Sequence, residues 1–262
     1  MSTSTAEAAA AGFRTIQLVP GEAELRVQLA AAYRLVEHFG WNESIYGHLT
    51  VRVPGPERHF LINPYGLRYG EVRASNLVKI TLEGEIVGES EWPVNAAGYA
   101  IHGAIHKAAP DAHCVMHTHS PAGMAVAALE CGLLPISLDA TLFHGMVGYH
   151  AYEGAVVSAD EKARLVQDLG RNRALILRNH GLVTVGRTIP EAFLYLHRLE
   201  TACKTQVDAL AMNAALVHVP EEVCEKSLRE IADFSTHVGD IGAVEFQAYM
   251  RMLDQGDAGY RE

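Results

Sequence analysis

A single α/β domain around a mixed or antiparallel sheet is the fold class this sequence predicts, on three observations. Apolar segments of strand length and of helix length interleave along the chain. No run of Pro, Gly or Ser divides them and no internal repeat is present, so the expectation is a flexible segment at 1–21 followed by one domain over 22–262. The early strands are joined by short turns, which points to a mixed or antiparallel sheet rather than a doubly wound one. A glycine-rich phosphate loop of either standard spacing is also missing.

The elements follow in order. Residues 22–38 read as a helix, because Leu25, Leu29, Tyr33 and Val36 recur near helical spacing and Gly40 ends it. Residues 44–53 alternate as a strand with Leu49, Val51 and Val53 on one face. Residues 59–62 are a second strand, followed by a turn at Asn63-Pro64-Tyr65-Gly66. Residues 77–81 and 85–88 form a strand pair about Glu83-Gly84. Pro93 suits the first turn of a helix reaching Ala108, where Pro110 stops it. A short apolar strand covers 114–117, Pro121 opens a small helix to Leu129, and 160–169 form an amphipathic helix. Strands at 174–177 and 182–185 flank Asn179-His180-Gly181. A long helix runs from Ile189 to Met212, and helices at 221–234 and 245–253 finish the chain.

Composition narrows the function. The 262 residues carry 21 basic and 31 acidic side chains, a net charge of −10, which argues against nucleic acid and against an anionic membrane surface as partners. No stretch approaches the roughly 20 apolar residues of a spanning helix. The start, Ala/Ser/Thr-rich over 1–12, lacks the basic and apolar regions of a secretory signal. Cys114, Cys131, Cys203 and Cys224 are far apart and form no paired motif, so they are expected to be ordinary thiols. A cytoplasmic protein is the expectation.

Histidine stands out, with 14 copies. His117 and His119 are two apart on an extended segment, so both imidazoles project to the same side. That suits a metal with nitrogen ligands at about 2.0–2.1 Å. It equally suits two partly buried histidines satisfied by backbone groups. His180 lies between two apolar strands with Gly181 allowing a tight backbone. It reads as a third ligand or as a capping histidine.

The words around these histidines resemble the class II aldolase/adducin family. They are Cys114-Val115-Met116-His117-Thr118-His119-Ser120, Arg178-Asn179-His180-Gly181-Leu182 and Asn63-Pro64-Tyr65-Gly66-Leu67, in family order and spacing over roughly 23–212. The resemblance implies a three-layer αβα sandwich with a mainly antiparallel, mixed central sheet. It implies His117, His119 and His180 as ligands of one divalent ion, zinc or iron(II), with manganese or cobalt as alternatives. It also implies Asn63, Tyr65 and Gly66 near a small-molecule substrate, and a homotetramer with the site near a subunit boundary.

The chain departs from the family's sugar-phosphate aldolases. Ala96-Ala97-Gly98 stands where they carry Ser-Ser-Glu, and His48 where they carry an asparagine. The usual acid/base glutamate is therefore replaced by a residue without a side chain, and Glu91 lies nearly two helical turns away. Losing donors to a phosphate dianion costs roughly 1.5–3 kcal/mol per bond, so a non-phosphorylated substrate is expected. An aldol step still needs a proton carrier. The candidates are His48, His102, Tyr149 and Tyr249, with His144 and His150 behind them. Glu153 reads as a loop or capping residue and Glu200 as a local partner of Lys204.

Three functions fit these residues. The first is a metal-dependent carbon–carbon lyase, aldol-type or decarboxylating, on a small oxo or hydroxy acid. The second is a non-haem iron oxygenase that cleaves a carbon–carbon bond of an aromatic or 2-oxo acid, an oxidative decarboxylase. The third is a non-catalytic adducin-like interaction module.

Overall fold

The computed structural model describes residues 21–154, 158–238 and 240–262, so nearly all of the segment expected to be flexible lies outside the described residues. The first helix, α1 (Glu22–His38), ends where Gly40 takes a φ of +71°. Strands β1 (His48–Arg52), β2 (Phe60–Ile62) and β3 (Val78–Ile80) follow, then helix α2 (Ala96–Ala108) and strand β4 (Cys114–Thr118). Helices α3 (Pro121–Ala127) and α4 (Leu138–Thr141) lead to β5 (Val147–His150) and α5 (Ala159–Leu169). Strands β6 (Ala174–Leu177) and β7 (Gly181–Gly186) precede helices α6 (Ile189–Ala211), α7 (Glu221–Val238) and α8 (Ile241–Gly256).

The strands form one sheet in the order β3-β2-β1-β4-β7-β6-β5. Every neighbouring pair is antiparallel except β5 with β6. Strand alternation divides the core between the two faces. Leu49, Val51, Cys114 and Met116 pack with α1, α6 and α8 on one side. Ala174, Ile176 and Leu182 extend that layer against α3 and α6. Val115, Leu175, Val183 and Val185 face α2 and α5 on the other side. Phe60, Ile62, Val78 and Ile80 meet Tyr99 of α2 there as well. The three-layer sandwich and its mainly antiparallel sheet are thus present.

Three local expectations need correction, and one strand is unexpected. The strand expected over 44–53 begins only at His48, because Ser44 (φ 51°) and Gly47 (φ 84°) turn the chain first. A Cβ on Gly47 would meet Tyr69 Oη at 2.8 Å and the His117 carbonyl at 3.0 Å, so this tight approach needs glycine. The helix expected from Pro93 starts at Ala96. The Pro93 carbonyl accepts the Tyr65 N–H at 2.9 Å, and the Asn95 side chain caps the Gly98 N–H at 3.2 Å. The strand expected at 85–88 is only a bridge between Ile86 and Ile80. Strand β5, unread in the sequence, carries Gly148 in its centre because a Cβ there would strike the Asp168 carbonyl. The four cysteines are free thiols, as expected, and among the described residues no helix is long and apolar enough to cross a membrane.

One buried hydroxyl joins the layers. Tyr33 Oη of α1 donates to the Leu49 carbonyl at 2.6 Å and accepts the N–H groups of Leu49 (2.8 Å) and Asn63 (3.2 Å). Removing it strands buried backbone groups, which cost roughly 1–3 kcal/mol when unsatisfied. Tyr33→Phe is therefore expected to lower unfolding free energy by about 1–3 kcal/mol, measured by urea titration at unchanged m-value.

Candidate metal centre and its cavity

Strand β4 ends at the point where the β6–β7 turn folds over it. His117 pairs with Val183 and Thr118 with Leu182 in the antiparallel register. The turn itself uses Asn179 at φ 56°, and the His180 N–H returns to the Leu177 carbonyl at 3.1 Å. A Cβ on Gly181 would collide with the Thr118 carbonyl and lie 3.2 Å from His119 Cδ2. Glycine here lets the turn close down until His180 reaches the other two histidines.

The three Nε2 atoms converge. His119 Nε2 lies 2.9 Å from His117 Nε2 and 3.0 Å from His180 Nε2. Their protons are placed elsewhere. His117 Nδ1–H donates to the Leu182 carbonyl at 2.9 Å, and His119 Nδ1–H donates to the Glu43 carboxylate at 2.6 Å. Two of the three Nε2 atoms therefore carry bare lone pairs aimed at one point. Burial, and then repulsion from the neighbouring imidazoles, hold His117 well below the usual histidine range and His180 at about 4. Neutral imidazoles with converging lone pairs are the donor set of a divalent transition-metal ion. Two nitrogens each about 2.0–2.1 Å from such an ion are separated by about 3.0–3.4 Å, close to the spacing found.

A second polar row lies behind this cluster. Thr50 Oγ1 is 2.8 Å from His102 Nδ1 and 2.7 Å from His106 Nε2. His106 Nδ1–H is given to the Ala112 carbonyl, so His106 Nε2 must accept the Thr50 proton. Thr50 can then only accept from His102, which leaves His102 Nε2 buried, unprotonated and unpaired.

The histidines open into a cavity of about 460 Å³, whose wall includes His48, Asn95, Gly98, His150 and Tyr152. Of the four proton-carrier candidates, His48 alone lines it; burial and the neighbouring His119 and His180 lower it to about 4. His102 lies behind, bonded to Thr50. Tyr149 Oη accepts the Leu133 N–H at 3.1 Å, and the Arg178 guanidinium covers its ring. Tyr249 stacks on His197 in the α6–α8 layer across the sheet. Among the further candidates, His150 is held by Asp168 at 2.8 Å, while His144 faces Glu221 at the surface. Asn63, Tyr65 and Gly66 are not in the wall of this cavity: Asn63 meets Tyr33, and Gly66 (φ 109°) lies near Trp92. Glu91 is exposed, and Glu153 is a loop residue paired with Arg164.

Two carboxylates escaped sequence reasoning. Glu43, which orients His119, is 76 residues away in a turn without periodicity. Glu200 does not pair with Lys204, which bonds Asp208 instead. Glu200 is buried, and it accepts the hydroxyl protons of Thr118 (2.9 Å) and Ser120, the two residues flanking His119. Its spacing to Lys204 was the visible signal, and it pointed to the wrong face of α6.

The comparisons with known proteins follow from this geometry. The profile of the class II aldolase and adducin N-terminal domain matches residues 27–207. The chain belongs to the class II aldolase/adducin family. Rat alpha-adducin is 47% identical over 95% of the chain, which spans only 35% of that adducin's length. A solved aldolase II superfamily protein of Pseudomonas syringae is 45% identical with a TM-score of 0.88, covering 94% of this chain and 98% of that one. An L-fuculose 1-phosphate aldolase of Glaciozyma antarctica is 31% identical with a TM-score of 0.80, covering 92% and 93%.

Within this class II aldolase/adducin chain, Glu200 also makes stability depend on pH. Burial pushes its carboxyl up to about 7, opposed by its two hydroxyl donors. Because the folded pKa exceeds the unfolded one, the folded state binds the extra proton between about 4.5 and 7. The contribution of Glu200 is thus most favourable below about 4.5 and is lost as pH rises through about 7, by about 3 kcal/mol. Glu200→Gln is expected to flatten the fall in stability over that window, read from urea midpoints at successive pH values.

Proposed function

We propose that this chain is a metal-dependent carbon–carbon lyase, aldol-type or decarboxylating, for a small non-phosphorylated oxo or hydroxy acid. His117, His119 and His180 would hold the ion. The observation that carries the reading is the meeting of three Nε2 atoms at 2.9–3.0 Å with the His117 and His119 protons committed to Leu182 and Glu43. Opposed lone pairs at that distance are stabilised by a cation between them. When bound, a divalent ion supplies polarisation of a substrate carbonyl or carboxylate.

The chain's own residues supply placement. Leu182 and Glu43 fix the ring orientations of His117 and His119, and Glu200 pins the side-chain hydroxyls of Thr118 and Ser120 on either side of His119. His48 and Asn95 form a neutral imidazole-and-amide wall. Residues 96–98 bring no hydroxyl or carboxylate, which supports a ligand lacking a phosphate dianion. The chemistry named for the Glaciozyma antarctica relative is a sugar-phosphate cleavage; here the altered wall supports a different substrate for the same class of bond breaking. A second reading, an adducin-like interaction module, draws support from the 47% identity with rat alpha-adducin.

Elemental analysis of chelator-free protein separates them. The lyase reading expects about one zinc or manganese per chain, lost in His117→Ala, and turnover in a screen of oxo and hydroxy acids. About one iron, with oxygen uptake, would replace it by the oxidative decarboxylase. No metal after anaerobic reconstitution would leave the interaction module. Because a partner that orients a ligand histidine typically contributes about 10–100-fold to metal affinity, Glu43→Gln is expected to weaken zinc binding by about tenfold or more in a competitive chelator titration.

A further inference from the structure

Gly98 is the third residue of α2, within an ordinary right-handed helix. Glycine is a poor helix former, and no positive φ demands it at this position. The neighbour that does is His48. A Cβ built on Gly98 would overlap the imidazole, with Cε1 and Nε2 inside any permissible contact and Nδ1 at 2.8 Å. The ring occupies the volume into which a residue-98 side chain would project.

Two further contacts hold this arrangement in register. Asn95 accepts the Gly98 N–H through Oδ1 at 3.2 Å and directs its Nδ2 to His48 Nε2 at 3.4 Å, so one side chain ties the helix start to the ring. From below, the pairing of His48 with His117 across β1 and β4 fixes the ring's origin beside the metal-centre strand. His48 is only 5% exposed, yet it lines the same cavity as His117, His119 and His180.

We propose that His48 and Gly98 are an interlocked pair, in which the imidazole is the specificity-determining wall of the histidine cavity and the missing side chain at 98 is the room that it requires. A side chain at 98 and the ring in its present place exclude one another, so position 98 can gain a side chain only if the ring at 48 moves or is replaced. In this role the ring takes up space beside the three histidines that a branched oxo acid would need. This ligand assignment rests on the oxo-acid reading above; the interlock does not.

The test is a four-protein cycle of wild type, Gly98→Ala, His48→Ala and the double variant. In the presence of the ring, Gly98→Ala is expected to lower Tm by several degrees. In the His48→Ala background the same change is expected to leave Tm unchanged or raise it, since alanine is the better helix former. An equal Tm shift in both backgrounds overturns the interlock. For specificity, zinc-loaded wild type and His48→Ala are titrated calorimetrically with pyruvate and with the branched 3-methyl-2-oxobutanoate. At unchanged zinc content, His48→Ala is expected to shift the affinity ratio toward the branched acid by about tenfold or more, the scale on which pockets discriminate methyl groups. An unchanged ratio overturns the role as a wall. Wild type that binds neither acid overturns the oxo-acid reading and with it the ligand assignment, while the melting cycle still decides the interlock.

Discussion

The close approach of β4 to the β6–β7 turn is the constraint on which the rest of this structure depends. Two strand ends meet at a distance that only a residue without Cβ permits, and Gly181 supplies it. Strand pairing then fixes the register, so that His117 faces Val183 and the chain after Thr118 emerges beside the turn. The sheet order places this junction between β1 and β6, near the middle of the sheet. The surrounding layers shield it: α2 and α5 on one face, α3 and α6 on the other.

Burying so many polar side chains at one place is costly unless each is satisfied. The fold meets that condition in part by assigning the Nδ1 protons of three imidazoles to fixed acceptors. Leu182, Glu43 and Ala112 each accept a proton from a different histidine. Among the described residues, the buried polar atoms left without a partner include His48 Nδ1 and His150 Nε2 at the cavity and His102 Nε2 behind it, with Arg52 Nε, Tyr69 Oη and His197 Nδ1 elsewhere. The two at the cavity, His48 Nδ1 and His150 Nε2, are groups that a ligand bound there can reach.

Much of this was legible in the sequence. Helix α1 and strands β4, β6 and β7 follow from apolar periodicity, and the two-residue spacing of His117 and His119 already placed their rings on one side. The short connection after β1 was enough to anticipate its antiparallel pairing with β2, whereas β2 and β3 pair antiparallel across the longer stretch 63–77. What was not legible depended on tertiary approach. Ser44 and Gly47 belong to an alternating segment, but the nearness of Tyr69 and His117 bends them out of the strand. Gly98 read as a lost function, whereas in space it is a gap filled by His48 from 50 residues upstream. Glu43 had no local pattern and Glu200 a misleading one, its helical spacing to Lys204, because the partners of both come from other elements.

The row from Ala112 through His106 and Thr50 to His102 has a consequence for conduction. Each hydrogen bond in it has one permitted direction, set at the far end by a carbonyl that can only accept. A proton cannot hop along such a chain unless every member reverses, and the Ala112 carbonyl cannot reverse. The row therefore works as an insulator rather than a wire. A proton arriving at His102 Nε2 therefore has no exit through the Ala112 end of the helix layer.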